Sequence, residues 1–126
     1  YKEIAKNLDI KVLKMGYTPS DLKIEDMDIS QERAMLRFKY QGKNVYFVQG
    51  KRKNSSSIST SSDRGQAAEE IYNDWLDQKI VVKENKLNNN MSEYEIEIYN
   101  NQAYYYLYGV IEWNEFTKIV ENLNYF

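Results

Sequence analysis

Apolar residues recur along this chain with two different periods, and the blocks they form predict its elements. Tyr1, Ile4, Leu8, Val12 and Met15, with Ala5 on the same side, follow the spacing of one helix face. Gly16 then stands where a helix C-cap is favoured, and Pro19 lies shortly beyond it. Ile10 and Leu13 fall off that stripe, so the helix is expected to touch neighbours on a second side. Leu22, Ile24, Met27 and Ile29 predict a strand with an irregularity around Asp26. Ala34, Leu36, Phe38 and Tyr40 alternate with Met35, Arg37 and Lys39, the signature of a half-buried strand. Gln41-Gly42-Lys43-Asn44 reads as a hairpin turn with Gly42 at the first central position of type II′. Under that turn Tyr40 faces Val45 and Phe38 faces Phe47.

Beyond Lys51 the texture changes. Lys51, Arg52 and Lys53 lead into a serine-rich run broken by Ile58, which predicts an exposed, disordered-type loop within 52–62. Ser62 or Asp63 can cap a second helix, with Gln66 as the capping-box partner of Asp63. Its buried stripe would be Ala67, Ala68, Ile71, Tyr72, Trp75 and Leu76. Lys79 to Leu87, with Ile80, Val81 and Val82, predicts a fourth strand, and Asn88 to Asn90 a loop. Tyr94, Ile96 and Ile98 alternate with Glu93, Glu95 and Glu97 in a fifth, and Ala103 to Tyr108 is a sixth after a turn at Asn100-Asn101. Trp113, Phe116, Val120 and Leu123 mark a closing helix that ends near Asn124.

The expected fold is therefore one α+β domain over residues 1–126. An antiparallel sheet of about six strands would carry helices packed on one face, in the order helix-βββ-helix-βββ-helix. Its core would gather Leu36, Phe38, Phe47, Ile71, Trp75, Ile96, Ile98, Tyr105, Leu107, Phe116 and Val120. The segments Phe47-Val48-Gln49-Gly50 and Leu107-Tyr108-Gly109, each after a hairpin, suggest a weak pseudo-repeat.

Composition narrows the chemistry. Seventeen Lys and Arg against nineteen Asp and Glu leave a net charge of −2, which excludes a strongly basic nucleic-acid binder. The chain has no His and no Cys, which removes zinc fingers, disulfide scaffolds, thiol catalysis and Ser-His-Asp catalysis. No apolar run reaches the length of a membrane span. The chain begins at Tyr1, within a helix-like segment; we expect the soluble part of a longer protein, cut after an export signal or anchor, with tag removal or processing as the other reading.

Met15-Gly16-Tyr17-Thr18-Pro19, Phe47-Val48-Gln49, Tyr105-x-Leu107-x-Gly109 and a closing helix with Glu115-Phe116 carry a family resemblance over nearly the whole chain. The pattern resembles the domain-of-unknown-function family numbered 4367, found mostly in Gram-positive bacteria. The resemblance implies an extracytoplasmic C-terminal domain of a protein with a single membrane anchor, in some members attached to anti-sigma-like or sporulation-associated regions. It implies a sensing or interaction role and supplies no catalytic residues. The short stretch after Pro19 and the long serine loop depart from the commoner pattern.

Candidate chemistry is sparse. Glu93, Glu95 and Glu97 share one strand face, which reads as the wet side of a half-buried strand rather than a carboxylate pair across a cleft. Asp21, Glu25, Asp26 and Asp28 lack the glycine and terminal glutamate of a calcium loop. The serines of 55–62 have no base beside them, and Lys51, Arg52, Lys53 and Arg64 read as a solubilising cluster.

The twelve tyrosines are the unusual feature. A two-residue Asn100-Asn101 turn pairs Ile98 with Ala103 and Ile96 with Tyr105, sending Tyr105 and Leu107 inward and Tyr104, Tyr106 and Tyr108 outward beside Glu95 and Glu97, whereas a three-residue turn would reverse the two faces. With Arg37 and Lys39 nearby, these tyrosines are the candidate binding residues; no catalytic residue, metal ligand or cofactor is expected. The reading is a non-enzymatic sensor or interaction domain, membrane-tethered only through a segment absent from this chain. Its partner would be a protein or a cell-envelope glycan and not nucleic acid. A glycan- or lipid-binding module, using the tyrosine face or a pocket between sheet and helices, is the alternative, and a hydrolase without histidine is a third reading.

Overall fold

The computed structural model describes residues 2–52, 66–87, 91–100 and 102–126. Strands dominate it. Helix α1 (Lys2–Asn7) leads into β1 (Leu13–Met15), β2 (Leu22–Ile29), β3 (Arg33–Tyr40) and β4 (Lys43–Lys51). Then follow β5 (Gln66–Asn73), β6 (Gln78–Lys86), β7 (Ser92–Tyr99), β8 (Ala103–Val110), helix α2 (Trp113–Glu121) and β9 (Leu123–Tyr125). Seven strands form one antiparallel sheet in the order β2-β3-β4-β8-β7-β6-β5, while β1 and β9 pair as a separate two-stranded sheet. Six strands, β2-β3-β4 and β8-β7-β6, are arranged symmetrically about the β4–β8 pair, with β5 added at one edge, and at that pair the two segments of the weak repeat meet as direct partners, Phe47 opposite Leu107.

This corrects the expected α+β order helix-βββ-helix-βββ-helix, because the protein is mostly β and has two short helices among its described residues. The second expected helix is strand β5, whose Ile71, Tyr72 and Asn73 pair with Ile80, Lys79 and Gln78. The stripe of residues 67–76 is compatible with a helix, but the backbone groups of β5 find their partners in β6, a non-local choice that overrides local propensity. Trp75, expected in the core, sits in the β5–β6 turn and is 68% exposed. The first helix also stops early: Val12, Leu13 and Met15 are buried as strand and flanking residues, not as a helix stripe. Gly16 caps no helix; its N–H donates to the Asn122 carbonyl at 2.9 Å, next to the β1–β9 pairing. The closing helix ends at Glu121, and Leu123 belongs to β9. The expected serine loop and the Ser62/Asp63 cap lie outside the described residues, except that Arg52 is placed.

Other expectations match the structure. Strand β2 carries a register shift between Ile24 and Asp26. Ala34, Leu36, Phe38 and Tyr40 of β3 face inward with Val45, Phe47 and Gln49 of β4. Tyr105 and Leu107 of β8, Ile96 and Ile98 of β7, and Ile71, Ile80 and Val82 continue that buried face. Phe116, Ile119 and Val120 of α2, Ile4 and Leu8 from the N-terminal segment, and Leu13 and Leu123 of the small sheet complete one core. The β3–β4 turn is a correction: its centre is Gln41-Gly42, with φ 50° and 82°, so Gly42 is the second central residue and not the first of a type II′ turn, and Phe38 pairs with Val45 and Leu36 with Phe47 rather than Tyr40 with Val45 and Phe38 with Phe47.

Candidate functional site

The β7–β8 hairpin closes with the Asn100 N–H bonded to the Ala103 carbonyl at 3.0 Å. The Asn100 side-chain oxygen accepts from the backbone N–H of Gln102 and Ala103 at 2.8 and 2.7 Å. This places the turn one position beyond the expected one, so Ile98 pairs with Tyr105 and Ile96 with Leu107. The alternation is unchanged. Tyr105 and Leu107 are buried, and Tyr104, Tyr106 and Tyr108 lie half-buried on the opposite, outer face.

On that outer face the register draws one row across six strands: Asp26, Arg37, Tyr46, Tyr108, Glu95 and Lys83. Arg37 meets Asp26 at 3.7 Å. The Tyr46 and Tyr108 rings stack with centroids 5.1 Å apart and planes 24° from parallel, and Tyr106 lies 4.8 Å from Tyr108. The Tyr106 hydroxyl donates to Glu95 Oε2 at 2.5 Å. Glu95 is only 5% exposed, so the glutamate row is not simply a wetted strand side: the tyrosine rings roof its central member. Stacking and a hydrogen bond to a buried carboxylate restrain these side chains, since each group limits its neighbour.

Of the expected binding residues, the structure gathers Arg37, Tyr106 and Tyr108 and leaves two apart. Tyr104 folds over Gly50, where an added Cβ would come 2.8 Å from its ring and hydroxyl. Lys39 stands one row away, opposite Asn44 and Lys23. Tyr46 and the burial of Glu95 escaped the sequence reading. Tyr46 is the outward residue between inward Val45 and Phe47, a legible signal, but its stacking on Tyr108 depends on the distant β4–β8 pairing.

A second feature lies between the sheet and α2. Tyr40, Gln41, Lys43, Met91, Ser92, Tyr94, Val110, Ile111, Glu112 and Trp113 line a cleft of about 330 Å³. Tyr94 lies 5.0 Å from the Trp113 ring at 52° and 5.5 Å from Phe116. Burial, with the nearby Glu84 carboxylate, pushes the Tyr94 hydroxyl above its ordinary pKa, against a lowering hydrogen bond with Ser92. Burial and then the Glu112, Glu115 and Asp21 carboxylates do the same to Tyr40. At the edge of this region the Tyr17 hydroxyl donates to Glu115 Oε2 at 2.6 Å.

Among the described residues, no three or more Asp, Glu, His or Cys converge as a metal site, and no helix is long and apolar enough to cross a membrane. Comparison with family models, curated proteins and solved structures finds no match, so the resemblance to family 4367 is neither supported nor refuted.

Proposed function

We propose that this protein is a non-enzymatic interaction domain that meets a protein partner through the outer face of its sheet. The observation that carries the reading is the row Arg37–Tyr46–Tyr108–Glu95, extended by Tyr106. Aromatic rings held by stacking and by a hydrogen bond bury large area on contact at small entropic loss, and an arginine beside them adds directional donors. The role as an extracytoplasmic sensor tethered to a membrane belongs to the same proposal and is supported by the family resemblance alone.

The test replaces Tyr46, Tyr106 and Tyr108 together by Ser and compares the variant with the wild type. Binding is measured to purified cell-wall glycan and, by quantitative crosslinking, to envelope proteins. A crosslinked protein lost in the variant, with the far-UV circular dichroism unchanged, is the expected result. Undiminished crosslinking overturns the proposal, and loss of glycan binding instead favours the glycan reading of the same face.

A further inference from the structure

The cleft between the sheet and α2 carries features that the outer face does not. Three aromatic rings, Tyr40, Tyr94 and Trp113, line it together with Met91, Val110 and Ile111. Tyr40 itself is 4% exposed, so its ring forms a buried wall of the cleft. The volume of about 330 Å³ suits a small molecule.

Charge selects the class of ligand. Glu112 lines the cleft, Glu84 sits behind Ser92, which donates to it at 2.5 Å, and Glu115 and Asp21 act on the Tyr40 hydroxyl. Lys43 at the rim and the amino end of α2 oppose them. Glu112 is the residue at that helix start and makes no side-chain capping bond, so its carboxylate remains available to the cleft. On the lining itself Glu112 offsets Lys43, so the balance is tipped by the Glu115 and Asp21 carboxylates that act on Tyr40 and by the faces of the aromatic rings, which add negative potential of their own. Anions are disfavoured there. We infer that the cleft between Tyr40, Tyr94 and Trp113 is a binding site for a small organic ammonium group, held by the aromatic faces and the Glu112 carboxylate.

The test uses choline chloride as probe, its neutral isostere 3,3-dimethyl-1-butanol, and N-acetylglucosamine, each titrated against the protein by NMR. The indole resonance of Trp113 reports the cleft, and that of the exposed Trp75 is the internal control. Choline is expected to shift Trp113 saturably and leave Trp75 unmoved, with the isostere at least fivefold weaker. Glu112→Gln should weaken choline fivefold or more without changing the isostere. Equal binding of the isostere, a shift of both indoles alike, or no effect of Glu112→Gln overturns the inference. A response to N-acetylglucosamine without one to choline overturns it too and assigns the cleft to a neutral sugar.

Discussion

The Gln49 side-chain amide makes to Leu13 the pair of hydrogen bonds that a neighbouring strand would make. Its oxygen accepts from the Leu13 N–H at 2.8 Å, and its nitrogen donates to the Leu13 carbonyl at 2.9 Å. Both residues are fully buried. One side chain thereby ties β1 of the small sheet to the inner face of the large one. Gln49→Ala strands two buried backbone groups, each worth roughly 1–3 kcal/mol. Urea denaturation should show a loss of about 2–4 kcal/mol with an unchanged m-value. A loss below about 0.5 kcal/mol would mean that the two sheets are held together otherwise.

Asn73 does similar work at the other end of the core. Its side-chain nitrogen donates to the Val120 and Leu123 carbonyls at 2.7 and 2.9 Å, and its oxygen accepts from the Leu76 N–H at 2.8 Å. One amide thus satisfies the end of α2 and shapes the β5–β6 turn. Asn73→Ala should cost about 2–4 kcal/mol and speed proteolytic cleavage within residues 74–77, measured by limited digestion. Asn73→Asp should be worse at neutral pH, because a carboxylate then faces two carbonyl oxygens.

The position of Trp75 separates the strand from the helix assignment of residues 66–76. Trp75→Ala should change stability by no more than about 0.5 kcal/mol, whereas Phe116→Ala should cost roughly 3–5 kcal/mol. Equilibrium unfolding of the two variants is the measurement. A large loss for Trp75→Ala would contradict its place in the turn.

Tyr105 makes stability depend on alkaline pH. Its ring is buried, and its hydroxyl donates to the Lys11 carbonyl and accepts from the Asn100 side chain at 3.1 Å. Burial pushes its pKa from 10.0 up to about 12, against a lowering contribution from Asn100 and with a small further rise from Tyr125. The folded state therefore holds the proton more tightly than the unfolded chain. This contribution is complete below pH 10 and is lost as pH rises towards 12, on the order of 2 kcal/mol. Tyr17, Tyr40, Tyr72 and Tyr94 shift in the same direction and add to the decline. Tyr105→Phe should flatten part of the fall in stability between pH 10 and 12; an unaltered slope would assign it to the other tyrosines.

The roof over Glu95 is open to a double-mutant cycle. Tyr106→Phe removes the donor to a buried carboxylate and should cost about 1–3 kcal/mol. In a Glu95→Leu background the same change should cost much less, since no carboxylate is left to satisfy. Additive losses in thermal unfolding would show that the two side chains act independently.

Strand alternation sorted the residues of each strand into two faces from sequence alone, and in β8 the length of the preceding turn decided which of the two is buried. In both legible hairpins the turn lies one position from where local chemistry put it: Gln41-Gly42 forms the centre of one, and Asn100 closes on Ala103 in the other. The faces are nevertheless those expected, because moving a two-residue loop by one position shifts each partner by two, and a period of two keeps every side chain on its side. Phe38, Phe47, Ile96 and Leu107 are buried for that reason. Tertiary structure decided the rest. Residues 66–73 and 13–15 carry patterns that a helix also satisfies, and they become strands because β6 and β9 complete their backbone hydrogen bonds. The same holds for the candidate sites. The outward tyrosines of β8 were legible, but the Tyr46–Tyr108 stack, the burial of Glu95 and the cleft of Tyr40, Tyr94 and Trp113 arise from strands and a helix far apart in the chain. Period tells which face a residue takes; only the pairing of distant segments tells which residues share it.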